Sequence, residues 1–368
     1  MTSAGDFEAL LASLNEANPA AGPPQREPVR RVAVLGAGPV GQALACECLA
    51  ADCEVTLYTA FETERAALAA PGAVTVRGEH LVGTYRLADA PASEPAIVVR
   101  AGIDDAVADA DAIMLATPAV AHAAAGGLLA GRVRGDQLLV LVPGRSFGSV
   151  EVARSLRRFG SPVLPIIVEL AASPYRVQSP QPGALTIAAV NPQTPAAALP
   201  NRKTDEAVQR LRTVLPALTP AGGVLETTFS DLSGVLDVPP ALLRESASVT
   251  RKLDDERRRV AFAYGVRELD PAPDPSGDAS SPPLDPDDSR VHDALCCSLV
   301  PLVSAGALAG IPTRTAAALV DLGSVQRMLD YTGHGRTLAG LGLDRFSPDD
   351  IRRALDGGDA PLLEQALA

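Results

Sequence analysis

The stretch Val32-Ala-Val-Leu-Gly36-Ala-Gly38-Pro-Val-Gly41-Gln constrains this chain more than any other part of it. A short apolar, β-branched run enters glycines spaced G-x-G-x-x-G, and an alanine- and leucine-rich helical pattern follows from Ala43 to Ala50. That order calls for a strand, a tight turn and a helix N-terminus. In such a turn the first glycine permits the bend and the second lets the backbone approach a pyrophosphate. The third lets the helix pack against the strand. The helix dipole and its free N–H groups then favour phosphate. The spacing predicts a nicotinamide or flavin nucleotide site built on Gly36, Gly38, Pro39, Val40 and Gly41.

Beyond the turn, strands are predicted at 32–35, 54–58, 74–77, 83–87, 97–100, 112–115, 138–142, 163–168 and 184–190. Helices are predicted between them at 42–51, 62–69, 104–109 and 150–159. Alternating strands and helices imply α/β architecture, a doubly wound Rossmann-type parallel sheet. Ligand contacts then come from loops at the carboxyl ends of strands, here Thr117-Pro118 and Pro143-Gly144-Arg145. Past about Asn191 the strand signal fades and helical periodicity takes over, at 204–218, 232–264, 290–309 and 313–331. Pro239-Pro240 should kink or break the second of these. Ser347-Pro-Asp-Asp350 opens a terminal helix, with serine as N-cap and proline in the first turn. The expected organisation is a flexible extension over 1–29, a dinucleotide-binding Rossmann domain over 30–192 and an all-helical substrate domain over 193–368. The Pro- and Asp-rich stretch 270–288 within the last is expected to be a mobile loop.

Composition narrows the partners. A formal net charge of −12 argues against nucleic acid, which needs a basic footprint. The basic run 251–259 carries interleaved acids and reads as a solvated helix face. Hydrophobic residues make up 47% of the chain, yet no apolar run is read as reaching the ~18 residues of a membrane span. The first residues lack the pattern of a signal peptide, so a cytoplasmic location without membrane partners is expected. Five cysteines, none at metal-ligand spacing, read as buried reduced thiols and give no metal site.

Several short motifs in order resemble the octopine/nopaline (opine) dehydrogenase family over about residues 31–346. They are Val55-Thr-Leu-Tyr-Thr59-Ala-Phe61, Asp109 through Thr117-Pro118-Ala119-Val-Ala-His122, Leu141-Val-Pro143-Gly144 and Glu169-Leu-Ala-Ala-Ser-Pro174-Tyr175. In the helical half they are Leu299-Val-Pro301, Gly310-Ile-Pro312-Thr313 and Gly335-Arg336-Thr-Leu338. The resemblance implies NAD(P)H-dependent condensation of an amino acid with a 2-oxo acid, and leaves a homodimer open. It also implies a histidine acid/base in an Asn-x-x-His-Pro-like stretch. This chain departs there, with Asp237 where the histidine is expected. An exposed aspartate would be ionised at neutral pH, so Asp237 could donate a proton only if burial or a neighbouring carboxylate raised its pKa. Gln178 stands where the family's arginine is expected after Pro-Tyr, with Arg176 as substitute, and His292-Asp293 replaces an acidic pair.

The candidate catalytic residues are therefore Asp237, His122 and His292. Tyr175 and the arginines Arg145, Arg176, Arg290 and Arg336 are candidates for holding substrate, because guanidinium forks match carboxylates. On the cofactor side Thr117, Pro118 and Pro143 line the strand ends. The second strand ends at Thr59 with no immediate acid, and Arg65 follows, an arrangement that tolerates a 2′-phosphate, so NADP is expected with NAD as the alternative. Two other readings stand beside opine synthesis: a diverged biosynthetic reductase for another small substrate, and an inactive NAD(P)-binding partner protein that docks through residues 1–29.

Overall fold

The computed structural model describes residues 28–78, 80–91, 93–273, 284–357 and 360–367. Residues 1–27 of the expected extension and 274–283 of the loop expected at 270–288 lie outside the described residues.

Twelve strands form one sheet: β1 (Arg31–Leu35), β2 (Glu54–Tyr58), β3 (Ala73–Gly78), β4 (Gly83–Ala88), β5 (Ile97–Arg100), β6 (Ala112–Leu115), β7 (Leu138–Leu141), β8 (Ile166–Leu170), β9 (Tyr175–Gln181), β10 (Ala184–Val190), β11 (Thr194–Leu199) and β12 (Leu218–Pro220). Their spatial order is β12-β11-β8-β7-β6-β1-β2-β5-β4-β3-β10-β9. The central run from β8 to β4 is parallel throughout. Every residue of β6, β7 and β8 is buried, as expected for strands covered on both faces. Along β1 the period of two is visible: Val32 and Val34 enter one core, Ala33 and Leu35 the other.

The second of those cores does not stop at the sheet. It runs from Leu35, Leu115 and Leu141 through Phe147 and Phe229 to Tyr264 in the helical half. Phe229 links them, edge-on to Phe147 at 6.4 Å and tilted on Tyr264 at 5.6 Å. The sheet also extends beyond 192, because β11 pairs antiparallel with β8 and parallel with β12. The expected loss of strands after Asn191 is thus corrected. β11 reads Thr-Pro-Ala-Ala-Ala-Leu, which has little strand propensity of its own and is ordered by its neighbours. The helix expected over 204–218 ends at Leu211, ahead of Pro216, which disfavours helix at the residue before it. The apolar segment Ser289–Ala309 is also longer than the sequence reading allowed. It spans 21 residues and contains an 18-residue window with mean hydropathy 1.5, but 72% of that window is buried, so it packs as a core helix.

Helix Pro39–Ala50 lies against β1, β2, β3 and β9 and is buried continuously from Gly41 to Cys48. An all-round apolar helix is a buried helix, which is why Cys46 and Cys48 are both sealed although they point to different faces. Its entry turn uses the three glycines differently. Gly36 has φ +114°, and a Cβ there would lie 2.6 Å from the carbonyl oxygen of Ala116. At Gly41 a Cβ would meet the Gly36 carbonyl oxygen at 1.8 Å. At Gly38, the N-cap, a Cβ would meet nothing within 4 Å, and no side chain caps the helix. Two glycines are thus fixed by protein packing, while the third faces open space at the strand ends.

This separates fold from ligand. Gly36→Ala and Gly41→Ala should each lower the melting temperature by several degrees, since overpacking costs roughly 1–3 kcal/mol or more at about 2–4 °C per kcal/mol. Gly38→Ala should stay within about 2 °C, because an added methyl there strains nothing. Thermal melts of the three variants check this, and equal losses at all three would contradict the assignment.

Candidate active site

The order of strands reverses between β1 and β6, and in an open α/β sheet the ligand crevice opens at the carboxyl ends there. Three loops reach it. The Gly36 turn follows β1, Ala116–Pro118 follows β6 and Pro143–Arg145 follows β7. Ala116 N–H donates to Leu35 O and Val142 N–H to Leu115 O, each at 2.9 Å, so the ladder continues into the loops. The Thr117 hydroxyl is buried with no partner among the described residues, and its methyl lies beside the Gly36 turn. An open glycine cradle, an uncapped helix N-terminus and an unpaired hydroxyl suit the pyrophosphate and nicotinamide ribose of a dinucleotide.

Arg145 is the centre of the substrate side. It adopts φ +58°, a left-handed conformation rarely taken by a side-chain-bearing residue. Its Nε donates to Asp293 Oδ2 at 3.0 Å and its Nη1 to Asp231 Oδ1 at 3.2 Å. Asp293 also accepts the Val120 N–H at 3.0 Å. Asp231 accepts the Ser233 N–H at 3.0 Å, the Ser233 hydroxyl at 2.7 Å and the Ser298 hydroxyl. Burial works against the guanidinium's charge, but the two carboxylates outweigh it and raise its pKa. A loop of the sheet is thereby bound to two segments of the helical half.

Asp237 precedes the short helix Val238–Leu242 and is partly buried beside this cluster. Burial pushes its carboxyl above the usual range, Arg145 and Arg290 pull it back, and Asp231 and Asp288 push it further up. The net direction is upward, which is the condition an aspartate must meet to act as a proton donor near neutrality.

Behind Arg145 lies a second arginine knot. Arg336 is 4% exposed and donates to the carbonyls of Ser146 at 2.6 Å and Ala119 at 3.1 Å, and to the Glu151 carboxylate. Its backbone N–H donates to Cys296 O at 2.9 Å, and the Ser146 N–H to Cys297 O at 3.1 Å. Both acceptors sit in a π-helical segment, Leu295–Leu299, whose looser turn frees carbonyls for such bonds. Arg336 is consequently a structural clamp between the two halves, not the substrate fork expected. His122, completely buried, lies against it with Nδ1 at 3.5 Å from the guanidinium and Nε2 without a partner among the described residues. Burial, and then Arg336 and Arg145, hold its imidazole well below its usual pKa, so it is neutral. It does not reach the crevice and is corrected from catalytic candidate to wall. Glu169, also fully buried, accepts the Ser149 N–H at 2.9 Å and the Thr227 hydroxyl at 2.6 Å, joining β8 to both halves. Sequence reasoning quoted Glu169 in a motif without giving it this role.

Other expectations move further. Tyr175 is buried at the start of β9, near Glu47 and stacked on His80 at 5.9 Å. Glu47 lies eight residues into the cofactor helix, about 12 Å along its axis from the glycine turn at ~1.5 Å per residue. Tyr175 therefore faces the opposite end of the sheet from the crevice, and Arg176 is exposed on the same edge hairpin. His80 is exposed and is paired with Glu47 at 3.1 Å. His292 is half-buried and is oriented by Tyr331, whose hydroxyl lies 2.9 Å from Nδ1, and not by Asp293, whose carboxylate is taken by Arg145. Burial and Arg327 lower its pKa. Arg290 is paired with Asp288 at 2.7 Å. The run 251–259 is only partly a solvated face. Arg257 is buried on Asp254, and Glu256 accepts the N–H groups of Thr315 and Ala316 at 2.8 and 3.0 Å.

The buried neutral His122 predicts a pH effect on stability. Its folded pKa lies below the unfolded value of about 6.5, so the unfolded chain takes up a proton first as pH falls. Stability is present above that pH and is lost below it. His122→Gln should make the melting temperature fall less between pH 7.5 and 5.5, by about 2 °C or more. Parallel pH dependence of the two proteins would contradict the burial.

No family model matches the chain. It is 27% identical over 363 residues to an opine dehydrogenase of Arthrobacter sp. (strain 1C), covering 88% of this chain and 98% of that protein. An octopine dehydrogenase solved with NADH and L-arginine superposes with TM-score 0.67 at 16% identity, covering 90% of this chain and 98% of the other. A ketopantoate reductase from Ralstonia eutropha JMP134 superposes with TM-score 0.57 at 16% identity, over 80% and 97%. In sequence across most of its length, and in fold, the chain resembles the opine dehydrogenases and carries their Rossmann-type sheet with a helical half.

Proposed function

We propose that this chain is an NAD(P)H-dependent oxidoreductase that reduces the C=N bond formed between an amino acid and a 2-oxo acid, with Asp237 as the proton donor. The observation that carries the reading is the place and state of Asp237. It stands where the opine dehydrogenase resemblance puts an acid/base histidine, next to Arg145, with burial holding its carboxyl above the usual range. The nucleotide half has the matching apparatus in Gly38, the open helix N-terminus and Thr117.

When bound, the nicotinamide supplies hydride to the imine carbon. Asp237 gives its proton to the nitrogen, the C=N bond becomes CH–NH, and partial exposure lets the carboxylate recover a proton from solvent. Arg145 opposes the effect of burial on that carboxyl, and the net direction stays upward. Its Nη2 group makes no bond to Asp231 or Asp293 among the described residues, and we assign it to a substrate carboxylate. Arg336, Tyr175 and Arg176 take no part.

A second reading uses the same residues on a carbonyl, with the proton going to oxygen. The likeness in fold to a ketopantoate reductase favours it. Absorbance assays of NADH and NADPH oxidation against a matrix of L-amino acids and 2-oxo acids separate the two. Oxidation that needs both an amine and an oxo acid supports condensation, and oxidation by an oxo acid alone supports carbonyl reduction. Nucleotide binding without turnover in any well would sink both and leave an inactive nucleotide-binding protein.

Asp237→Ala should lower turnover at least tenfold, within the ~10²–10⁴-fold span of a positioned general acid, while nucleotide affinity stays within about twofold. Unchanged turnover would remove Asp237 from the mechanism.

A further inference from the structure

The end of β2, where a Rossmann site meets the adenosine ribose, is more acidic in the fold than in the sequence pattern. In the sequence no acid follows the strand end immediately, and Arg65 reads as available for a 2′-phosphate. The folded arrangement differs. Thr59 is buried at 3% exposure, and its hydroxyl is hydrogen-bonded to the Glu64 carboxylate. The Phe61 N–H donates to the same hydroxyl at 3.2 Å, so the turn brings Glu64 back to the strand end. Arg65 is spoken for on both arms: Nη1 donates to Thr59 O at 2.9 Å and Nη2 is ion-paired with Glu62.

We infer that this chain selects NADH over NADPH, with Glu64 as the specificity-determining residue and the Glu62–Arg65 pair closing off the 2′-phosphate position. The inference rests on the nucleotide site proposed above and replaces the expectation of NADP. Its logic is a charge count. A 2′-phosphate, bringing close to two negative charges, would meet two carboxylates and one guanidinium already neutralised by one of them. A ribose 2′-hydroxyl would instead meet an acceptor, Glu64, fixed by Thr59. Arg100, across the ladder from Tyr58, keeps its charge, but its Nη1 is directed to the Asp89 carbonyl at 2.7 Å and not to the carboxylates of Glu62 or Glu64.

Equilibrium titration of the purified protein with NADH and with NADPH, followed by nucleotide fluorescence, tests this without any turnover. The expected result is at least tenfold tighter binding of NADH. Glu64→Gln should weaken NADH and strengthen NADPH, narrowing that ratio at least fivefold. Glu62→Gln should strengthen NADPH by freeing Arg65, with NADH unchanged within twofold. Circular dichroism melts identify any variant that fails to fold, and the wild-type ratio stands without them. Equal or reversed wild-type affinities would overturn the selectivity while leaving the nucleotide site intact. Binding of neither nucleotide would overturn the site itself.

Discussion

A single guanidinium held between two buried carboxylates joins the halves of this molecule. Arg145 projects from the loop after β7, and Asp231 and Asp293 come from helical segments far along the chain. Removing one member of such a group leaves uncompensated buried charge, at roughly 3–5 kcal/mol. The constraint reaches outward. Asp293 also fixes the Val120 N–H in the loop after β6, and Asp231 is held in turn by Ser233 and Ser298. Arg336 repeats the device one layer deeper, tying Ala119, Ser146 and Glu151 to the π-helical segment. With the Gly36 turn on its other side, the crevice is walled by loops that two arginines hold in register.

In the proposed reaction, that arrangement is what lets an aspartate take a histidine's place. A carboxyl buried alone would titrate too high, and one beside an uncompensated arginine too low. Asp237 is near Arg145, whose charge is largely answered by Asp231 and Asp293, so burial prevails and the net shift is upward. The chemistry proposed for the site depends on this balance more than on any one contact.

The nucleotide half was legible because its signals are local. Strands β2, β5, β6 and β10 and helix Glu62–Ala69 lie at the bounds their sequence patterns predict, and the glycine spacing reports a turn that only glycine can make. β11 was illegible because Thr-Pro-Ala-Ala-Ala-Leu becomes a strand only beside β8. The arginines could not be told apart in the sequence for a related reason. Whether a guanidinium meets a substrate or a carboxylate depends on partners that lie 86 and 148 residues away for Arg145, and no pattern near Arg145 announces them. Tyr175 carried a motif but sits at the wrong end of the sheet, since its contacts are set by the cofactor helix and not by the strand that precedes it. Asp237 stood out in the sequence as a departure from a resemblance, but its ability to hold a proton could be judged only from its neighbours.

The most direct test of this account is the pH dependence of kcat/KM for reductive condensation in the wild type and in Asp237→Asn. A proton donor must be protonated to act, so the wild-type rate should fall as pH rises through the raised pKa of Asp237. Asn cannot titrate, and the variant should be slower and lack that descending limb. A variant that keeps both the rate and the limb would place the acid elsewhere and contradict the account.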